Sequence, residues 1–290
     1  MVFDSICVIG VGLIGGSLAL AAGKTGSARE IIGCSPPEDH QGIIDSGCVE
    51  YLFADWRQAL DKALSLSKKT SDCCVVLAAP PRATLDLLPQ VAKETGAVLT
   101  DVCSIKAPLV HLAEESDLLS NYVPGHPMAG SSARGAAHAS ADMFIDRPVV
   151  LTPCAATDSS ALHKVESLWK SLGADVLYMD AETHDLAAAR ASHAVHVLSS
   201  AAAALLDDNE KAALLASTGY RDTTRVAAGS PELWAEILSL NSDNVSRVLA
   251  EAQEFLALVQ KHLENGEESS LRDLLRGTAA FRRRWEENIN

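Results

Sequence analysis

The chain has 290 residues, 48% of them apolar, with 38 acidic against 24 basic side chains and a formal net charge of −14. That is material for two domains with ordinary cores, and its field argues against nucleic acid or an anionic membrane as a partner. An anionic substrate must therefore be gripped by a few local cations. Seven scattered cysteines with no C-x-x-C pair suit reduced thiols better than a disulfide framework. No apolar run reaches membrane-spanning length, and SICVIG follows the first residues with no basic, apolar leader. A cytoplasmic location is the expectation.

Ser5 to Ile9 is a short apolar run, followed by GVGLIGGS. Gly10, Gly12 and Gly15 fit G-x-G-x-x-G between a strand and a helix over Leu13 to Ala22. The first glycine allows a sharp turn, the second a close approach of backbone to a pyrophosphate, the third tight helix–strand packing. The phosphates then meet free N–H groups at a helix N-terminus, with Val11, Leu13 and Ile14 lining the turn. Further strands are expected at Glu30–Cys34, Cys73–Pro80, Ala97–Val102, Val149–Thr152 and Ala174–Met179, with helical crossovers such as Ala83–Thr95 and Asp158–Leu172. Their β-branched runs lack alternation, which indicates strands buried on both faces of one parallel sheet. Cys73 and Cys74 are read as small buried apolar residues on opposite faces. Ligands in such sheets bind at the carboxyl ends of the strands. Three segments fall there: AAPP with Ala79 and Pro80, DVCSIK with Val102 and Ser104, and GHPMAGS with His126, Gly130 and Ser131. His126 sits in what reads as a turn between glycine and proline.

After Met179 the strand signal stops. HDLAAARASHAVHVLSSAAAALLDD reads as one long helix of small residues, a second helix runs from about Pro231 to Leu263, and a third from about Glu268 to Trp285. GYRDTTRVAAGSPELW, with Arg221 and Arg225 a helical turn apart, joins the first two. The boundary between the halves is placed near Asp180. Apolar stripes on several helix faces suggest that a partner subunit covers some of them.

GVGLIGGS, DVCSIK, GHPMAGS, SHAVH and GYRDTTRVAAGSPELW, in that order, resemble the prephenate/arogenate dehydrogenase family of tyrosine biosynthesis. Cys103 stands where that family usually has a smaller Gly or Ala, and Ser132 where some relatives carry a charge. The chain ends at Asn290, before the regulatory domain that some relatives append. The resemblance implies a Rossmann-type dinucleotide-binding domain over 1–179, with a doubly wound parallel sheet, and an all-helical substrate-binding and dimerisation domain over 180–290. It implies a homodimer and NAD(P)-dependent oxidative decarboxylation of prephenate or arogenate to 4-hydroxyphenylpyruvate or tyrosine.

That chemistry needs one proton acceptor, positioning, and a clamp on carboxylate. His126 is the acceptor, since a neutral imidazole takes a proton near neutral pH. By resemblance Ser104 lies between substrate hydroxyl, base and nicotinamide; capping of the next helix is its plainer role. Arg225 of TTR falls on the family's carboxylate-binding arginine, and its guanidinium fork suits that task; a surface pair with Asp222 is the alternative. His196 matches a second active-site histidine, Gly130 and Ser131 are assigned to the substrate side, and His193 reads as packed. Lys106 shapes its loop or is solvated. His193 and His196 lack a third ligand, so no metal is expected. Two other readings stay open: a Rossmann-plus-helices dehydrogenase for a β-hydroxy acid or imine, which usually has a lysine that Glu182–Leu206 lacks, and a non-catalytic dinucleotide-sensing dimer.

NAD sites usually end the second strand with an acid on the adenine ribose. Here Ser35, Pro36 and Pro37 follow EIIGC. Ser35 leaves room for a ribose phosphate, whereas Glu38 and Asp39 oppose one. The expectation leans to NADP, with NAD as the alternative.

Overall fold

The structure is a computed structural model that describes residues 1–116, 120–130 and 133–289. Met1–Ser242 form one compact unit and Asp243–Asn290 a second. In the first, β1 (Phe3–Ile9), α1 (Leu13–Thr25), β2 (Ala28–Cys34), α2 (His40–Ser46), β3 (Tyr51–Phe53), α3 (Trp56–Leu66), β4 (Cys73–Leu77), α4 (Pro81–Glu94), β5 (Val98–Asp101), α5 (Ala107–Glu114) and β6 (Tyr122–Val123) alternate along the chain. The six strands form a parallel sheet in the order β3-β2-β1-β4-β5-β6. This is the Rossmann order, whose direction of winding reverses between β1 and β4.

The register sets the crevice. Ile9 is level with Cys34 and with Leu77, and Leu77 with Asp101. The next residues, Gly10, Ser35, Ala78 and Val102, therefore emerge side by side at the carboxyl edge. Both faces of the sheet are covered. Ile6, Val8, Cys74 and Val76 belong to one apolar cluster, and Cys7, Ile9, Cys73, Val75 and Leu77 to the other. All seven cysteines are free thiols.

Two corrections concern the strands. β8 (Pro148–Leu151) and β9 (Asp175–Tyr178), separated by α6 (Ser159–Ser171), do not extend the main sheet. They form a second, three-stranded sheet with β7 (Gly125–Pro127), which pairs antiparallel to β8. GHP is thus an edge strand rather than a turn, and an edge is where proline is tolerated in a sheet. His126 lies opposite Val150 and is buried.

The helical region is also more broken than its apolar pattern suggests. The long Ala/Ser segment is α7 (Ala181–Ala188), a π-turn (Ala189–His193) and α8 (Ala194–Ala204). Short α9 (Glu210–Leu215) and α10 (Thr218–Thr224) follow, then a 3₁₀ turn at Arg225–Ala228. The helix expected from Pro231 to Leu263 is α11 (Pro231–Leu240) and α12 (Ser242–Glu264), interrupted at Asn241, which is buried. In the second unit, α12 gives way at Gly266, whose φ of +68° favours glycine, to α13 (Glu268–Ile289). Leu256, Leu263, Leu275 and Phe281 along these helices are exposed.

Candidate active site

At the end of β1 the chain turns through Gly10 at φ +101°, where a Cβ would lie 2.6 Å from the Ala78 carbonyl carbon. Only glycine fits. A Cβ on Gly15 would lie 2.2 Å from Gly10 O, so α1 packs hard onto the turn. Gly12 is different: nothing lies within 4 Å of its Cβ position, and it caps α1 with no side-chain bond. The first turn of α1 carries no acidic residue. Open space in front of uncapped helix N–H groups fits a dinucleotide pyrophosphate. Ala79 and Pro80 continue from β4 beside this turn, Pro80 as the residue preceding α4. Val102 donates its N–H to Leu77 O at 3.2 Å. Ser35, almost fully buried, accepts the Val11 N–H at 2.9 Å. It directly follows β2, as the sequence register requires.

Beyond β5 the chain is held by two carboxylates, neither foreseen from sequence. Asp101 accepts the Cys103 N–H at 2.8 Å, the Gly125 N–H at 3.1 Å and the Tyr122 hydroxyl at 2.7 Å. Lys106, fully buried, pairs with Asp101 and donates to Gly125 O at 2.7 Å. Lys106 is therefore a loop-shaping residue and not a solvated one. It ties the DVCSIK loop to β7, one residue before His126. Asp185, on α7, accepts the N–H of Lys106 at 2.7 Å and of Ala107 at 2.9 Å. The cap of α5 is thus Asp185, and Ser104 does not cap it; no side chain of the loop itself bonds the helix N-terminus. Ser104 is half-buried between the two anchors.

His126 Nδ1 lies 2.8 Å from His184 Nε2, and His184 Nδ1 lies 2.7 Å from Asp185 Oδ1. The two rings meet edge to face at 5.0 Å. Burial holds the His126 pKa well below the usual imidazole value, with the neighbouring His184, Lys106 and His193 adding to the effect. His126 is thus a neutral ring at neutral pH. His193 is fully buried; Asn241 Nδ2 donates to its Nδ1 at 3.1 Å and to Asp185 O at 2.8 Å. Burial takes its pKa down to about 4. The π-turn ends at His193, and such insertions recur where a helix carries a site.

His196 stacks on Trp234, 3.7 Å between centroids and 9° from parallel. Burial lowers its pKa, opposed by a backbone bond at Val226. Trp234 was not singled out from the sequence; PELW carried it unremarked. His193 Nε2 and His196 Nδ1 are buried and have no hydrogen-bond partner among the described residues. Buried polar atoms are normally satisfied, so these two nitrogens on neighbouring turns lack the partner such atoms usually have. Arg225, exposed, opens the 3₁₀ turn that carries Val226. It lines a cavity of about 380 Å³ with Arg221, Tyr220 and Thr224. Arg221, a helical turn away, faces the same cavity. Gly130 lies on the rim of a second cavity of about 410 Å³, with Met128, Met143 and Arg147. Ser131 lies outside the described residues. Among the described residues no hydrogen bond joins Arg225 or Ser104 to His126.

On acidification stability should begin to fall before activity does. His126 stays neutral well below pH 6.5, so acid inactivation through its protonation is expected only below that value. For stability, a histidine whose folded pKa is depressed binds more protons when unfolded. The contribution is complete above the unfolded pKa and falls as pH drops below about 6.5. Denaturant unfolding at about pH 7 and about pH 5 should show lower stability at the acid value.

The crevice at the carboxyl edge and the uncapped glycine turn define a Rossmann-type nucleotide-binding fold. Comparison with known proteins agrees. A sequence-family model described as prephenate dehydrogenase, nucleotide-binding domain, matches residues 53–178, and one described as prephenate dehydrogenase, dimerization domain, matches 180–277. The prephenate dehydrogenase of Bacillus subtilis is 33% identical over 257 residues, covering 83% of this chain and 65% of its own length. The cyclohexadienyl dehydrogenase of Zymomonas mobilis is 30% identical over 264 residues, covering 86% and 84%. A crystal structure of Synechocystis arogenate dehydrogenase superposes with a TM-score of 0.77 at 29% identity, covering 97% of this chain and 99% of that one. The chain belongs to the prephenate dehydrogenase family. It spans 65% of the length of the curated Bacillus subtilis and Lactococcus lactis relatives.

Proposed function

We propose that the chain catalyses the NAD(P)-dependent oxidative decarboxylation of a cyclohexadienol, prephenate or arogenate, with His126 accepting the hydroxyl proton. The observation that carries this reading is His126 itself. It is a buried neutral imidazole at the carboxyl edge, bonded through Nδ1 so that Nε2 remains for a substrate. The relatives named for prephenate, cyclohexadienyl and arogenate dehydrogenation supply the substrate class.

Gly10, Val11, Gly12, Leu13, Ile14 and Gly15 would hold the pyrophosphate, with Ser35, Ala79, Pro80 and Val102 along the same edge. When bound, the nicotinamide provides the hydride acceptor. The protein's tasks are then to place the ring, take the hydroxyl proton and hold the carboxylates. Ser104 both donates and accepts, so it can orient the reacting oxygen. His126 takes the proton as the hydroxyl becomes a carbonyl. Loss of carbon dioxide aromatises the ring, which makes the overall step downhill. His196, Arg225, Gly130 and Ser131 are assigned to the substrate, the orphaned nitrogens of His193 and His196 being available to its polar groups. Arg225→Ala is expected to raise KM about 10- to 100-fold, the equivalent of roughly 1.5–3 kcal/mol for a bond to a charged group. Steady-state kinetics with the cyclohexadienol check this; a KM within twofold of the parent places the clamp elsewhere.

NADP is placed ahead of NAD because Ser35 stands where an acid would repel the extra phosphate. A carboxylate at position 35 could still accept the Val11 N–H, so Ser35→Asp should fold and move the ratio of kcat/KM towards NAD by about tenfold, roughly 1.4 kcal/mol. An unchanged ratio would remove Ser35 from the ribose site. The division near Asp180, a homodimer through 180–290 and a cytoplasmic location complete the reading. The dimerization-domain match and the exposed Leu198, Leu205, Leu214 and Leu215 support the dimer. The test of the function is the absorbance of reduced nicotinamide with prephenate and with arogenate, each offered NAD and NADP. Turnover of one pair is expected; no turnover with any of the four sinks the reading.

A further inference from the structure

The bonds behind His126 determine which of its nitrogens is bare. A carboxylate only accepts hydrogen bonds. Asp185 Oδ1 is 2.7 Å from His184 Nδ1, so that nitrogen carries hydrogen. With His184 neutral, its Nε2 is a lone pair, and His126 Nδ1 at 2.8 Å bonds to it only by donating. The hydrogen of His126 is then on Nδ1, and Nε2 is free to accept. We propose that His184 and Asp185 are positioning residues that lock His126 in the Nδ1–H tautomer and so make Nε2 the proton acceptor.

Other features support the lock. His184 and Asp185 are both buried, so water does not compete for either bond. The Asp185 charge is already met by the N–H groups of Lys106 and Ala107. The carboxylate is therefore fixed in place by the same loop that carries Ser104. During turnover the hydroxyl O–H bond breaks, its electron pair stays on oxygen, and its proton goes to His126 Nε2. The Nδ1–H remains donated to His184, which steadies the imidazolium. The role as acceptor rests on the function proposed above, whereas the tautomer does not.

The test uses full-length enzyme labelled with ¹⁵N-histidine, with the His126 ring assigned by its loss in His126→Asn. Long-range ¹H–¹⁵N correlation reads the tautomer directly. The parent should show Nδ1–H. His184→Leu removes the acceptor, and the ring should shift to Nε2–H, with kcat down about 100-fold or more, the scale of a wrong-tautomer defect. Dinucleotide Kd should stay within about twofold, since the glycine turn is untouched. His184→Gln, whose amide can accept where Nε2 did, should restore both tautomer and most of the rate. If His184→Leu does not fold, the parent spectrum and the glutamine variant still decide. An Nε2–H ring in the parent, or a leucine variant with unchanged tautomer and kcat, overturns the proposal. An Nδ1–H ring in a parent that turns over no cyclohexadienol would leave the lock standing and defeat the proposed function instead.

Discussion

His126→Asn is expected to lower kcat by about two orders of magnitude or more while leaving dinucleotide affinity within about twofold. The amide of asparagine lies near the position of Nδ1, so the bond to His184 Nε2 can survive and the fold with it. What is lost is Nε2, the atom that takes the proton. A positioned general base is typically worth 10²–10⁴-fold. His184, the nearest other histidine, is committed at both nitrogens and does not replace it. Steady-state kinetics and titration of dinucleotide fluorescence separate the two effects. A variant keeping more than about a third of the parent kcat removes His126 from the proton transfer.

Lys106→Met should destabilise the protein by about 3–5 kcal/mol, the usual result of removing one partner from a buried ion pair. Both side chains of the Lys106–Asp101 pair are fully buried. Methionine fills the volume but leaves Asp101 charged and short of a donor, and leaves Gly125 O without the ammonium that bonds it. Adding Asp101→Leu should not rescue the fold. Asp101 also satisfies Cys103 N–H, Gly125 N–H and the Tyr122 hydroxyl, and these would be orphaned in turn. Denaturant unfolding measures the loss; a change below about 1 kcal/mol would mean that the pair does not hold the loop. Because that loop carries Ser104 and abuts β7, the folded fraction should also lose kcat.

The dinucleotide half was legible because its signals are local and redundant. The glycine turn, the unalternating strands and the alternation of strand and helix each imply the others, and the adjacent Cys73 and Cys74 do point to opposite faces. Strands of two or three residues, β3, β6 and β7, carry too little pattern to be seen. β7 in particular hid behind a glycine and a proline that normally punctuate turns. The second sheet was misassigned to the first because apolar runs do not say which sheet they join. The break at Asn241 was masked by apolar spacing that continues across it. Its reason is tertiary: the side chain ties His193 to the Asp185 carbonyl.

At the site, His126, Ser104, His196 and Arg225 came from motifs, whereas Asp101, His184, Asp185 and Trp234 did not. These four act on other residues across long sequence separations, which a linear pattern does not encode. The His–Asp dipeptide opening an Ala-rich helix was the one visible sign, since two polar groups of that kind are costly to bury without purpose.

The central claim is that this buried imidazole serves an oxidation that expels carbon dioxide. The most direct measurement follows reduced nicotinamide and released carbon dioxide together from prephenate and from arogenate. One carbon dioxide for each reduced nicotinamide, both abolished in His126→Asn, is the predicted result. Reduction of the dinucleotide without carbon dioxide release, or equal release by the His126 variant, would contradict it.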